Sequence, residues 1–383
     1  MAWRNNLHCI ISIILLMLAA CSTPPRYHAN GKLLGERVST SVDSKIARYY
    51  LEHYLQGERR NQVLDDKIDE IYERQNSDIP TRDELRLLSN EYSVDFATLF
   101  LVDRLQADRN NEEIKKQFDH FLNNTVLTEL ESSAVDSYLV LFVPGWDYIE
   151  NGHFTGSDFA VPRKLITQLG IENHLVEIPS NGGVEENAQF ISDDLIQYSQ
   201  TGKDIIIVGA SSAGPAIHLS LAGNLKKHLK KKIKAWVNIG GILRGSPLID
   251  HYQKWPQSWL FGIAVWYKEW DREKILSMSA SRSRERFASL DGVHENTLII
   301  NYMGLSLSGQ LSKYAKENYL LLKKQGPNDG LTLLSDIIAP NSLTIVAIGS
   351  DHFFAEDPRI NDKTIALMKV VISYLEKAMH FDN

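Results

Sequence analysis

The segment that constrains this chain most is Ile205-Ile206-Ile207-Val208-Gly209-Ala210-Ser211-Ser212-Ala213-Gly214, followed by Pro215 and a helical run from 216 to 225. Four consecutive β-branched residues read as a buried strand, and the small residues after them leave room only for a sharp turn into a helix. A serine on so tight a turn needs small neighbours two residues before and after it, because larger side chains collide with the chain as it doubles back. Gly209 and Ala213 meet that need for Ser211, and Ala210 and Gly214 meet it for Ser212. The glycine closing the strand favours Ser211 at the apex, with Ser212 as the alternative. The helix start that follows points free N–H groups and a positive dipole end at this place.

The rest of the chain supplies a setting for that turn. From residue 137 onward, short apolar runs at 138–143, 174–178, 204–208, 235–239, 297–302 and 343–348 alternate with helical stretches. Gly, Pro, Asn or Asp bound them, the pattern of buried parallel strands with helices on both faces. The expected class is α/β, a mostly parallel sheet flanked by helices. An insertion at about 247–290 carries Trp255, Trp259, Trp266 and Trp270, four of the seven tryptophans in the chain. It reads as a helical lid over an apolar pocket, a lipid-touching element, or ordinary core packing.

Residues 41–130 follow a helical period, as in Ile46, Tyr49, Tyr50, His53 and Tyr54, and Thr81 with Glu84 forms a capping-box pattern. They read as an N-terminal all-helical segment whose role is packing or spacing. Residues 21–40 are polar, with Pro24, Pro25, Gly31 and Gly35, and read as a flexible tether.

The first twenty residues have the form of a signal peptide: Arg4, an apolar run at 9–18, then Ala19 and Ala20 before Cys21. That run is too short to span a bilayer, which takes about 20 apolar residues. Leu18-Ala19-Ala20-Cys21 resembles the lipobox of bacterial lipoproteins. The resemblance implies that Cys21 takes a diacylglyceryl group and becomes the new N-terminus, and that Ser22 after it favours delivery to the outer membrane. The expected place is the bacterial envelope, lipid-anchored and facing the periplasm. Of the two cysteines, Cys9 would leave with the signal, so neither a disulfide nor a multi-cysteine zinc site is expected.

Two further pieces stand where a serine on the turn would use them. Gly349-Ser350-Asp351-His352 follows the last strand and sets His352 on the same sheet edge as Ser211; imidazole is the natural base for a hydroxyl near neutral pH. His153 is the other histidine in a suitable place. Gly326-Pro327-Asn328-Asp329-Gly330 presents Asp329 between the fifth and sixth strands, where a carboxylate can hold the imidazole tautomer; Asp351 and Asp250 are alternatives.

The order Ser211, Asp329, His352 is similar to that of the α/β-hydrolase superfamily, and the resemblance covers 131–383. It implies a serine hydrolase of the esterase or lipase type acting on a carboxylic ester or thioester. It also implies that Val143-Pro144-Gly145-Trp146 is the oxyanion loop, so that the backbone N–H groups of Trp146 and Ser212 bind the tetrahedral oxyanion. The stretches at 236–241 and 244–248 resemble uncharacterised proteobacterial hydrolase-like proteins. A non-catalytic envelope lipoprotein on the same scaffold, or an amidase or acyltransferase with the same three residues, are the alternatives.

No cofactor or metal is expected, since neither a phosphate-cradling G-x-x-x-x-G-K-[ST] loop nor an H-E-x-x-H motif occurs. A net charge of −7 gives no footprint for nucleic acid, and the run Lys226-Lys227-His228-Leu229-Lys230-Lys231-Lys232 reads as a solvated helix end. The expected partners are an acyl ester or lipid substrate and the membrane, with the oligomeric state open.

Overall fold

The computed structural model describes residues 27–75, 79–124, 132–223, 225–290, 293 and 296–381. The expected signal segment and the acylated Cys21 lie outside the described residues.

The chain enters as an antiparallel hairpin of β1 (Tyr27–Leu33) and β2 (Glu36–Val42). Leu34 and Gly35 turn it with φ of +51° and +84°, the left-handed pair that suits the twist of a two-residue hairpin. This corrects the expected tether over 21–40, since from Tyr27 onward the chain is packed strand. Ala29, Leu33, Val38 and Val42 form its buried face. Gly31 is what lets it dock: a Cβ there would stand 2.3 Å from the Leu51 carbonyl oxygen of the helix Lys45–Glu52. The apolar alternation is sparse and broken by Gly31 and Thr40, which is why the segment reads as a polar linker.

Helices Gln62–Arg74, Arg82–Glu91, Val94–Ala107 and Arg109–Asn123 follow. Thr81 and Glu84 form the expected capping box, with Glu84 N donating to Thr81 Oγ1 at 3.3 Å and Thr81 N to Glu84 Oε2 at 2.7 Å. Val94–Ala107 is buried on nearly all sides and shares one hydrophobic cluster with Met303, Leu305, Leu307, Val346 and Ile348. Arg109–Asn123 packs Ile114, Phe118 and Leu122 into the core on one sheet face. The N-terminal part is therefore continuous with the core around the sheet.

The main sheet has six parallel strands in the order β4-β3-β5-β6-β7-β8. They are β3 (Tyr138–Val143), β4 (Glu172–Leu175), β5 (Asp204–Ala210), β6 (Ile233–Ile239), β7 (Leu298–Leu305) and β8 (Leu343–Ile348). Alternate residues feed opposite layers, as in β5: Ile206 and Val208 join the core under Ala160–Gln168 and Ile360–Phe381, while Ile205 and Ile207 join that under Val184–Tyr198 and Ala213–Ala222. Burial of both faces explains their unbroken apolar character. β4 falls at 172–175 rather than at the expected 174–178; Val176 N still donates to Phe142 O at 2.8 Å as the chain leaves the sheet, and Val176 and Ile178 are buried.

The insertion folds into helices Pro247–Tyr252, Gln257–Tyr267, Arg272–Leu276 and Ala280–Ser289. Its tryptophans are not core residues. Trp255, Trp259 and Trp266 are exposed, and Trp270 meets Trp146 edge-on with ring centroids 6.1 Å apart. Among the described residues no helix is long and apolar enough to cross a membrane.

Candidate active site

β5 ends in Gly209 and Ala210, and only two residues separate it from the helix Ala213–Ala222, so Ser211 carries the reversal with φ +53°. A non-glycine residue in the left-handed region is strained and persists only where its surroundings impose it. Here Ser211 N donates to Ile239 O at 3.0 Å, and Ser211 O accepts from Gly214 N and Ile242 N, each at 3.1 Å. Gly209 leaves room for Ile217, since a Cβ would fall 2.2 Å from Ile217 Cδ1 and push the end of that side chain aside. The Ala213 methyl lies 3.2 Å from that same point, so it fits because Gly209 has no side chain. Gly214 packs against Asn238 of β6 and Gly241 of the turn after it, with a Cβ there 2.9 Å from Gly241 Cα. Ser212 is buried at the helix N-cap, whereas Ser211 points at His352.

His352 Nε2 is 2.9 Å from Ser211 Oγ, and His352 Nδ1 is 2.8 Å from Asp329 Oδ2. The main chain reinforces this, with His352 N donating to Asp329 O at 2.9 Å. Asp329 is fully buried; its other oxygen, Oδ1, accepts from Leu331 N at 2.9 Å and Thr332 N at 2.8 Å. Those two donors fix the carboxylate plane and leave Oδ2 to the imidazole, whose Nδ1 therefore carries a proton and whose Nε2 accepts from the Ser211 hydroxyl.

The alternatives lie elsewhere. Asp351 accepts from Ser312 N at 2.7 Å and Phe353 N at 2.9 Å, and so shapes the histidine loop. Asp250 accepts from Ala280 N and Ser281 N at the start of Ala280–Ser289. His153 lies on the cavity wall beside Phe154. His218, on the helix after Ser211, is stacked on Trp236 and Phe287; burial, then the Arg244 charge, push it down to about 4.

Sequence reasoning missed the residues that hold the aspartate turn. Ser246 Oγ donates to Leu331 O at 2.5 Å, and Thr332 Oγ1 donates to Gly245 O at 2.7 Å. Arg244 Nη1 reaches the carbonyls of Ser335 and Ile338, while Asp336 pairs with Arg284 at 2.8 Å. These contacts bind the turn after β6 to the Asp329 loop across some 85–94 residues. The stretch at 244–248 had signalled only family likeness; this is its structural work.

The loop Val143-Pro144-Gly145-Trp146 runs beside the serine: a Cβ on Gly145 would lie 3.4 Å from Ala210 O and 3.5 Å from Ser211 Cβ. Gly145 N is tied to Ser157 O at 3.1 Å and Asp147 N to Ser180 O at 2.8 Å. Ser211 and His352 open onto a cavity of about 630 Å³ between the sheet and the helices Ala160–Gln168 and Ile360–Phe381. Phe142, Phe159, Val208, Ile239, Leu367 and Met368 line it. That volume is in the range of small-molecule sites, and an apolar wall with few polar groups at one end orients an amphipathic ligand. Near its wall Lys363 is paired with Asp357, and Asp357 also accepts from Ser350. Burial alone would raise the Asp357 carboxyl, but the bonds from Lys363, Ser350 and Arg359 N outweigh it and hold the group low. Among the described residues no group of three or more His, Cys, Asp or Glu is placed to hold a metal ion.

No family model and no curated protein sequence matches the chain. Solved structures do. A metagenomic carboxyl esterase superposes with a TM-score of 0.54 at 17% identity, covering 70% of this chain and 91% of that one. The mature form of a Bacillus licheniformis lipase superposes with a TM-score of 0.47 at 16% identity, covering 62% and 91%. With its six-stranded parallel sheet, its helices on both faces and its likeness to the esterase, the chain has the α/β-hydrolase fold.

Proposed function

We propose that this protein is a serine hydrolase of carboxylic esters or thioesters with an apolar acyl group. One observation carries the reading: Ser211 Oγ, strained at the turn's apex, is bonded to His352 and through it to buried Asp329 at the end of an apolar cavity. In the first step Ser211 Oγ attacks the acyl carbonyl carbon and its proton passes to His352 Nε2. The carbonyl oxygen, now an anion, is held by the N–H groups of Ser212 and Trp146, with the N-terminus of Ala213–Ala222 behind them. The C–O or C–S bond breaks as Nε2–H protonates the leaving oxygen or sulfur. Water, deprotonated by the same Nε2, then releases the acid and restores Ser211. Asp329 stabilises the imidazolium in both halves.

The esterase of like fold supports ester chemistry, and the bonded side chains favour hydrolysis over a scaffold used only for binding. An amidase or acyltransferase would follow the same steps with a different leaving group or acceptor. The lipobox at 18–21 supports a place for this chemistry: acylated at Cys21 and held at the outer membrane of the bacterial envelope.

Hydrolysis of p-nitrophenyl butyrate by the purified chain is the test. Ser211→Ala is expected to lower kcat by at least about 10³-fold and Ser212→Ala to leave it within about tenfold. A folded wild type inactive across esters and thioesters of graded chain length would refute the proposal.

A further inference from the structure

The helix Gln257–Tyr267 is apolar nearly all round, and one whole face of it is left uncovered. Trp259, Leu260, Ile263, Trp266 and Tyr267, at helical spacings of one, four, seven and eight, share a face, and that face points to solvent. Their exposures run from 46% for Ile263 to 78% for Trp266, and Trp255, just ahead of the helix, is 86% exposed. Val265 is the one buried residue of the eleven. The helix contains no charged residue, and Lys254 and Lys268 stand exposed at its two ends. Single exposed apolar residues need no explanation, but a contiguous aromatic face marks a surface that something covers.

The start of the described chain is linked to this helix through a relay of contacts. Tyr27 pairs with Val42, and the next residue, Asp43, donates its N–H to Asp95. Asp95 in turn accepts from Ser308 N and from the hydroxyl of Tyr319, which lies on the helix Lys316–Leu322. That helix packs against Pro247–Tyr252, and Pro247–Tyr252 against Gln257–Tyr267. The entry point and the apolar helix thus belong to one end of the molecule, the one formed by the loops after the strands, which also carries Ser211. Only five residues separate Cys21 from Tyr27, a reach of at most about 22 Å when fully extended. An acyl group on Cys21 would hold Tyr27, at this end of the molecule, within that distance of the lipid.

We propose that the outward face of Gln257–Tyr267, with Trp255, docks on the surface of a lipid bilayer and sets the Ser211 end of the molecule against it. The inference rests on the lipid attachment proposed above for its choice of a membrane over a second copy of the chain. Tryptophan and tyrosine belong at headgroup depth, where an apolar ring and a polar edge are both satisfied. Eleven residues give a helix of about 16 Å, too short to cross about 30 Å of hydrocarbon, so the helix lies on the surface.

The test uses the full chain with vesicles of phosphatidylcholine and phosphatidylglycerol whose acyl chains are plain or dibrominated, read by tryptophan fluorescence. The double variant Leu260→Glu, Ile263→Glu keeps every tryptophan and changes only exposed positions. Brominated lipid is expected to quench the wild type, and the double variant to lose at least about half of that quenching while p-nitrophenyl butyrate hydrolysis stays unchanged. Equal quenching of wild type and variant, or none of either, overturns the proposal. So does sedimentation showing a vesicle-free wild-type dimer that the variant dissolves, which would assign the face to a second copy. Mass spectrometry of Cys21 reads the attachment separately: an unacylated chain whose quenching still depends on Leu260 and Ile263 supports docking and removes only the anchor. An inactive wild type that is nonetheless quenched in this way leaves docking in place and bears on the hydrolase reading alone.

Discussion

Asp329→Asn changes one atom of the site and should stop it. Asp329 Oδ1 accepts from two main-chain N–H groups, at 2.9 and 2.8 Å, and Oδ2 faces His352 Nδ1 at 2.8 Å. An asparagine can keep both main-chain bonds only with its carbonyl oxygen in the Oδ1 position. The reverse orientation would set an NH₂ against two buried donors, at about 1–3 kcal/mol for each group left unsatisfied. The NH₂ therefore faces Nδ1, which must become an acceptor, and the imidazole proton moves to Nε2. Nε2–H then points at Ser211 Oγ, 2.9 Å away, and can no longer take its proton. A base held in the wrong tautomer costs about 10⁴-fold in kcat, or about 5.4 kcal/mol at 1.36 kcal/mol per decade. The assay is kcat for p-nitrophenyl butyrate at saturation, with urea unfolding alongside to show that the variant is folded. A loss below about tenfold in a folded variant would refute the tautomer argument.

Three other expectations follow from the same structure. If the cavity takes the acyl chain, kcat/KM for p-nitrophenyl esters should rise about fourfold per CH₂, the equivalent of about 0.8 kcal/mol, until the cavity is full, and Leu367→Trp should end the rise at a shorter chain; an unchanged profile in that variant would place the acyl group elsewhere. Ser246→Ala removes the bond to Leu331 O and should cost about 1 kcal/mol in urea unfolding and about tenfold in kcat, with KM unmoved, whereas intact kcat would show that the Asp329 turn holds without it. Asp95 is fully buried, and burial, then the neighbouring Asp43 carboxylate, push it up to about 7. The folded protein therefore keeps a proton that the unfolded chain gives up near pH 4, so stability is fully present below that pH and declines as pH rises toward 7, by about 1.4 kcal/mol per pH unit at most. Asp95→Asn should flatten that slope, and an unaltered slope would exclude Asp95 as its source.

What the sequence made legible was the part encoded in short spans. Ile205–Gly214 contains a strand, a turn and a helix start within ten residues, each with a local steric reason, and the C-terminal ends of the later strands put Asp329 and His352 on the same edge. The serine register could be read only as a preference, because Gly209 and Gly214 each support one choice; side-chain packing against Ile217 and Gly241 is what separates their roles. The β1–β2 hairpin was illegible because its buried positions make sense only against Leu51 and the cluster around Leu305. The hold of Ser246 and Arg244 on the aspartate loop is made mostly to carbonyl groups, which leave no mark in the identity of the residues they belong to. The insertion shows the limit from the other side: an uncharged helix with tryptophans looks the same in sequence whether its apolar face turns to the core or to solvent.

Covalent labelling of Ser211 tests the central claim most directly. The folded chain is incubated with a fluorophosphonate, digested, and mapped by mass spectrometry. One phosphonyl group per chain is expected, on Ser211, retained in Ser212→Ala and lost in both Ser211→Ala and His352→Ala. Label on Ser212, label that survives loss of His352, or none on a folded wild type would contradict it.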